Sequence, residues 1–465
     1  MFDLAVIGAG PGGYVAAIRG AQQGLRVLLI EKDAMGGTCL NRGCIPTKSF
    51  VADTKLFKSA KGSPVLSGAG QLALDPQKML ARKRSVVDGM VRGLGSVIAS
   101  NGITVINGTG ALHRPGSVRV TLPDGTFKEH KSKHIILATG SRPAVPPFID
   151  VDGKWIQTTD EILDCEDIPS RLIIIGGGVI GIEMATIFLN LGSKVTIVEM
   201  LEDVLVTEDK DIRRTMRRLL KKQKARLFLK ARAQKLVANE NGVAVTLTDK
   251  NGAEQHLEAD RVLVSTGRAP VFAGIDPDKL GLALDGPFVK VDRHFQTNLP
   301  GVYAIGDLVG GMMLAHKASA EAEVVIEHIL GNDHGVDVNL IPRCIWGLSE
   351  IGAVGLSEEQ AQATGRNIKL GRFPFSASGA AQAKGHGEGF VKIVGDAETG
   401  EILGVHILGE RATDLISEVV TVMKMEGAVE DLYEAIKPHP TLSETVFEAA
   451  MDWNGVAIHI PKKKI

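Results

Sequence analysis

Cysteine is scarce in this chain: four among 465 residues. That is too few for a disulfide scaffold and suggests a reducing compartment, where a disulfide is more often catalytic than structural. No apolar run approaches the roughly 18 to 20 residues that span a bilayer. The segment from Leu4 already reads as a strand, leaving no room for a signal or transit peptide. Charge of one sign is also missing. With a formal net charge of -1, nothing recommends a nucleic-acid or anionic-membrane partner, and Lys462-Lys463-Lys464 reads as a solvated terminus. Zinc needs about four ligands, and no second CxxC pair or nearby histidine supplies them, so no metal is expected. What is present is ordinary for a globular protein with a full core: 44% hydrophobic and 23% charged residues. The length fits about three domains on a prior of roughly 150 residues each. A cytoplasmic enzyme is the bounded expectation.

Two of the four cysteines, Cys39 and Cys44, stand together in Gly36-Gly37-Thr38-Cys39-Leu40-Asn41-Arg42-Gly43-Cys44-Ile45-Pro46-Thr47-Lys48. They lie just downstream of a glycine-rich turn. The strand Leu4–Ile7 runs into Gly8-Ala9-Gly10-Pro11-Gly12-Gly13, and the strand 172–175 runs into Gly176-Gly177-Gly178-Val179-Ile180-Gly181. One shift of 168 carries Gly8, Gly10 and Gly13 onto Gly176, Gly178 and Gly181, and carries Glu31 onto Glu199. A lone GxGxxG is weak; two copies, each with an acidic residue ending the next apolar strand, read as two dinucleotide sites. In each, the glycines permit a tight turn and a close backbone approach to a pyrophosphate. The helix N-terminus offers its free N–H groups, and the glutamate is expected to accept from ribose hydroxyls.

Cys39 and Cys44 would close a small loop compatible with the roughly 5.5 to 6 Å Cα separation of a disulfide. Pro46 suits the first turn of a helix, so Cys44 is expected near a helix N-terminus, where the dipole lowers a thiol pKa, with Lys48 one turn on. A structural disulfide is the competing reading. Cys165 and Cys344 stand alone and read as packed or semi-exposed thiols. Exchange with a substrate disulfide needs a base, because the thiolate is what attacks. The foremost candidate is His439 in Lys437-Pro438-His439-Pro440-Thr441-Leu442-Ser443-Glu444, with Glu444 to orient it; His316, His386 and His406 are alternatives. Strands ending in Gly140 and in Gly267 repeat one form near the domain crossings, and another apolar strand ends at Asp307. Beyond about residue 341 short strands alternate with helices such as 411–426. The expected fold is α/β, with two Rossmann-like dinucleotide-binding domains and a C-terminal α+β dimerisation domain. Its parts are 1–148, 149–268, 269–340 (returning to the first site) and 341–465.

On these motifs, together with Ala304-Ile305-Gly306-Asp307 and His406-Ile407-Leu408-Gly409, the chain resembles the class I pyridine nucleotide–disulfide oxidoreductases over roughly 2–460. Within them it is most similar to the dihydrolipoamide-oxidising branch that serves 2-oxoacid dehydrogenase and glycine-cleavage systems. The resemblance implies FAD-dependent oxidation of protein-bound dihydrolipoamide with reduction of NAD⁺. It implies that Glu31 and the loop Gly8–Gly13 hold the adenosine half of FAD, and that Thr38, Lys48, Gly140 and Asp307 line its flavin and ribityl part. Cys44 would face the isoalloxazine and Cys39 would exchange with lipoamide. Glu183 would pair with Lys48. His439 and Glu444 would act on the other subunit's disulfide, making an obligate homodimer. Gly176, Gly178, Gly181, Glu199 and Gly267 would serve NAD.

Two departures stand out: Lys437 replaces a usual first histidine, and Trp346-Gly347-Leu348-Ser349-Glu350 replaces a Tyr-Thr-x-Pro-Glu form. A reductase of another low-molecular-weight disulfide, or a mainly structural docking component, are the rival readings. Glutathione reductase-like chains carry a tyrosine where this one has Val179, and arginine near a ribose 2′-phosphate. Here Glu199 occupies that place, and a carboxylate repels a phosphate. The expected outcome is therefore a large preference for NAD over NADP in kcat/KM; equal use of the two would remove Glu199 from the ribose.

Overall fold

The computed structural model describes residues 1–333 and 335–461, so the Lys462-Lys463-Lys464 run lies outside the described residues. The chain divides into two compact units: 1–147 with 157–167 and 266–336, and 148–156 with 168–265 and 337–465. Among the described residues no helix is long and apolar enough to cross a membrane.

In the first unit the strands Phe2–Ile7, Val27–Glu31, Thr104–Asn107 and Phe127–Leu137 pair in parallel, in the order Thr104, Val27, Phe2, Phe127. Val302–Ala304 adds to Phe127–Leu137 in parallel, and Ser117–Thr121 and Thr109–Arg114 extend the sheet antiparallel. Val27–Glu31 is buried at every position, which is why it reads as an unbroken apolar run rather than an alternation. The period of two still sorts the side chains. Leu4 and Val6 join Ala16, Ala17 and Ile326 in one core, while Ala5 and Ile7 join Val118, Leu137 and Val302 in another.

The second unit holds a second parallel sheet, in the order Arg226–Leu229, Lys194–Glu199, Arg171–Ile175, Arg261–Val264. A three-stranded meander covers Arg232–Ala259. The C-terminal part is an antiparallel sheet ordered Arg343–Trp346, Glu350–Gly355, Ile402–Leu408, Phe390–Asp396, Ile368–Pro374. Helices Ala412–Lys424 and Glu444–Asn454 close its core through Ile416, Val419, Val446 and Trp453. The helix expected over 411–426 is thus two residues shorter at its C-terminal end, and Arg411 caps it in a left-handed conformation at φ 58°.

The two glycine loops superimpose in chemistry as well as in spacing. Gly8 and Gly176 take φ +102° and +108°, and a Cβ on either would lie 2.3 Å from Ala138 O or 2.4 Å from Ser265 O. A Cβ on Gly13 would fall 1.8 Å from Gly8 O, and one on Gly181 would fall 2.0 Å from Gly176 O. At Gly10 and Gly178, by contrast, an added Cβ meets nothing within 4 Å. The outer glycines are required by the protein's own backbone; the middle one faces open space.

A buried ion network joins the second dinucleotide-binding part to the C-terminal sheet. Lys392, fully buried on strand Phe390–Asp396, places Nζ 2.8 Å from both Asp209 oxygens, 2.9 Å from Asp211 Oδ2 and 2.6 Å from Glu358 Oε2. Asp209 also caps helix Lys210–Lys222 by accepting from Asp211 N at 2.9 Å. Arg343 reaches Glu208 at 3.0 Å alongside. Burial pushes the Asp209 carboxyl up, but His406 when charged, and Lys392, pull it down to about 2. Burial pushes His406 itself down, so Lys392 is the opposing charge at neutral pH.

Two outcomes follow. Gly13→Ala is expected to yield no folded protein, whereas Gly10→Ala keeps the fold, with an unchanged far-UV spectrum, and loses bound dinucleotide. Lys392→Met strands Asp209, while Asp211 keeps Arg372 and Arg214 and Glu358 keeps Lys210; the loss should cost about 3 to 5 kcal/mol, read as a lower urea midpoint at pH 7. Because Asp209 is depressed in the folded state, its share of stability is present above the ordinary carboxylate pKa of about 4. That share disappears as pH falls toward 2, so the gap between parent and variant should narrow in acid.

Candidate active site

The dithiol segment is fastened to the first glycine loop. Gly36 N donates to Ala9 O at 2.8 Å, and a Cβ on Gly37 would lie 2.7 Å from Gly10 Cα. Gly36 and Gly37 take φ 91° and 57°, which admits this contact at little strain. Cys44 stands at a helix N-terminus, as expected from Pro46. Cys39 lies inside a short helix, Gly37–Arg42, and the chain breaks at Gly43 and restarts as helix Cys44–Lys61 with Cys44 as its first residue. Asn41 Nδ2 ties the short helix back to Met35 O at 3.0 Å and Gly37 O at 2.9 Å, and Arg42 pairs with Asp33.

The cysteines are in the thiol form. A hydrogen bond between the two sulfurs, then burial, pushes the Cys39 thiol far above its ordinary range, with the positive charge of Lys48 opposing. Cys44 stands at the positive end of an 18-residue helix, which favours a thiolate there.

The other residues assigned to the first cofactor lie in the same unit. Glu31 accepts from Ala9 N at 2.7 Å and from Asp33 N at 2.9 Å, which braces the loop and aims the carboxylate across it. Gly140 has φ 69° and open space where a Cβ would be. Asp307 accepts from Ser141 Oγ. Arg268 in turn donates to Ser141 Oγ at 2.6 Å and Ser141 O at 2.9 Å, and stands 3.7 Å from Asp307. Ser141 and Arg268 were not singled out from sequence; both follow glycines that were, and the repeated Gly-Ser-Arg-Pro and Gly-Arg-Ala-Pro runs are the signal. Gly12 points its missing side chain at Ile305 and Ala318, 3.0 and 3.2 Å away, so that glycine serves helix packing. An open cradle at Gly10 and Gly140, free N–H groups at a helix start and a carboxylate at the strand end fit FAD.

In the second unit Glu199 repeats the pattern, accepting from Gly177 N at 2.6 Å and Leu201 N at 2.7 Å. With Gly178 open and Val179 at the helix start, the residues fit NAD. Gly267, at φ 120°, faces open space. Glu183 is buried and accepts from Trp346 N at 3.1 Å. Gly347 beside it has no room for a side chain, since a Cβ would lie 2.8 Å from Met216 Cε; the unusual Trp346-Gly347 pair thus belongs to this packing.

His439 Nδ1 is 2.8 Å from Glu444 Oε1, and Glu444 Oε2 accepts from Thr441 N at 2.8 Å. Burial raises the Glu444 carboxyl, but His439 and Thr441 N–H outweigh it and hold the group below its usual range. The imidazole is 79% exposed, so its other nitrogen is available to a partner from outside. His406 is excluded as a base because it is fully buried against Leu356 O at 3.0 Å. His386 stands 3.9 Å from Glu410, and His316 lies on helix Ala315–Ile329 of the first unit. Lys437 forms an ion pair with Glu418, so the missing first histidine is replaced by a structural contact. Cys165 and Cys344 are both half-buried; Cys165 Sγ approaches Gln157 Oε1 at 3.3 Å and Cys344 Sγ approaches Thr413 O at 3.8 Å.

Comparison with known proteins extends these observations to the whole chain. Residues 2–322 match the pyridine nucleotide-disulphide oxidoreductase family, and residues 341–450 match that family's dimerisation domain. The chain is 38% identical to dihydrolipoyl dehydrogenase of Bacillus subtilis, over 98% of this chain and 99% of that protein. It is 40% identical to dihydrolipoyl dehydrogenase 1, mitochondrial, of Arabidopsis thaliana, over 98% and 91% respectively. The structure of LpdA from Mycobacterium tuberculosis superimposes with a TM-score of 0.90 at 28% identity, covering 97% of this chain and 99% of that one. Since one family accounts for the dinucleotide-binding part and the dimerisation part alike, the chain is a member of the pyridine nucleotide-disulphide oxidoreductases, an FAD-containing oxidoreductase linked to NAD.

Proposed function

We propose that the chain oxidises protein-bound dihydrolipoamide to lipoamide and reduces NAD⁺ to NADH through the Cys39–Cys44 pair. The observation that carries this reading is the dithiol segment fastened on the first glycine loop, with Cys39 inside one short helix and Cys44 as the first residue of the next. That arrangement makes the two sulfurs unequal. FAD, when bound, would take the electron pair from the dithiol and deliver it as a hydride to NAD⁺.

In the oxidised enzyme the chain's own groups act as follows. His439, steadied by Glu444, takes a proton from one substrate thiol, and the thiolate attacks Cys39 Sγ. The Cys39–Cys44 bond breaks, its electron pair leaves on Cys44, and a mixed disulfide joins Cys39 to the substrate. The second substrate thiol attacks the substrate sulfur of that mixed disulfide, and its proton passes to Cys39 as Cys39 leaves. Lipoamide is released. The substrate has lost two electrons and two protons: the electrons lie in the reduced pair, Cys39 as thiol and Cys44 as thiolate, and the protons on Cys39 and His439. The helix that begins at Cys44 and the charge of Lys48 favour the thiolate as leaving group.

The exposure of His439, on a domain matched to a dimerisation family, supports its service to the disulfide of a second subunit in a homodimer. The remaining parts of the reading are a lipoyl-bearing protein of a 2-oxoacid dehydrogenase or glycine-cleavage system as partner, a cytoplasmic location, and a functional division at 148, 268 and 340.

Anaerobic titration with dihydrolipoamide, recording the visible spectrum, tests the whole: uptake of two electrons per subunit should bring a new long-wavelength band, and NAD⁺ should discharge it. Cys44→Ser is expected to abolish lipoamide turnover, and full retained activity would sink the dithiol route. His439→Ala should slow turnover by about 10² to 10⁴; a rate within a few-fold of the parent would remove His439 from the mechanism.

A further inference from the structure

The turn that carries Asp307 is a short 3-10 helix, Gly306–Val309, seated on the core through Leu308. It is bounded by glycines: Gly306, Gly310 and Gly311 take φ 73°, 75° and 67°, and glycine loses more freedom on ordering than any other residue. Gly310 N donates to Asp307 O at 3.2 Å. Both ends are gripped from outside by helix Ala315–Ile329. Gly306 N donates to Glu321 Oε2 at 2.6 Å, and Lys317 Nζ donates to Gly310 O at 3.1 Å. Lys317 and Glu321 are one helical turn apart and form an ion pair, with side chains only 10% and 1% exposed.

A buried ion pair is in itself weak evidence for stability, because desolvation offsets the attraction. What distinguishes this one is that each partner directs another hydrogen bond to the main chain of the same five-residue turn. Burial pushes the Glu321 carboxyl up, while Lys317 and Gly306 N–H oppose that push.

We propose that Lys317 and Glu321 are positioning residues for the flavin cofactor, fixing the Gly306–Gly310 turn so that Asp307 meets FAD at a set depth and orientation. The assignment rests on Asp307 being an FAD contact. Neither residue touches the cofactor; both act through the turn, from a rigid helix rather than from a loop.

The test compares FAD release from the holoenzyme after dilution, followed by the fluorescence of free FAD. Lys317→Met with Glu321→Leu leaves no buried charge and removes both grips. Lys317→Met with Glu321→Gln also leaves no charge but keeps a carbonyl oxygen for Gly306 N. Release is expected to be at least tenfold faster than the parent in the Met/Leu protein and intermediate in the Met/Gln protein, with NAD⁺ affinity within twofold of the parent in both. Equal release from the two would reduce the pair to a general brace, and parental release from the Met/Leu protein would show the turn needs no grip; either overturns the proposal. If the Met/Leu protein is not recovered folded, parental release from the Met/Gln protein overturns it. Asp307→Asn is measured alongside: parental release there removes Asp307 from the FAD site and takes this proposal with it. Fast release from Asp307→Asn with parental release from both double variants sinks the positioning role alone.

Discussion

The rest of the molecule depends on a backbone contact too close for any side chain. In each glycine loop the third glycine of the helix presses on the carbonyl of the first, at a distance that even a methyl group would violate. That contact sets the angle at which the helix leaves the strand. It thereby turns the helix N-terminus toward the space beside the middle glycine, where a pyrophosphate gains most from free N–H groups and the dipole. The strand-end glutamate then grips the loop through a main-chain N–H in both copies. The repeat is therefore one mechanical solution used twice, once for each cofactor.

The Cys39–Cys44 segment is built on the first copy. Because Gly37 packs on Gly10, the dithiol takes its place from the backbone of the first glycine loop. The interruption at Gly43 lets one sulfur sit inside a helix and the other begin a new one. A single unbroken helix would give both thiols similar surroundings. Here the hydrogen bond between the sulfurs and burial push the Cys39 thiol up, while Cys44 sits where a helix dipole favours negative charge.

What could be read from the sequence was whatever is local or repeated. The glycine spacings, the shift of 168 and the pairing of His439 with a glutamate five residues on all express contacts between near neighbours or copies of one pattern. The helical turn around Cys39 was hidden because six residues between glycines carry no periodicity. The Ser141–Arg268–Asp307 network joins positions 127 and 166 apart, and no local pattern announces such a meeting. Lys317 and Glu321 were hidden differently: at a spacing of four on a helix they look like any solvent-exposed pair, and only their burial sets them apart. His406, a reasonable base by residue type, was disqualified by burial alone.

The Lys392 cluster has a bearing on how such chains can change. Two of its acids, Asp209 and Asp211, come from the second parallel-sheet part, while its base and its third acid, Glu358, come from the C-terminal part, Lys392 being 183 residues from Asp209. Separating the two parts would leave Lys392 without Asp209 and Asp211, and Asp209 without its base, in the interior. The buried charges therefore make the two parts electrostatically interdependent, so that neither can be exchanged without its counterpart at no cost to stability.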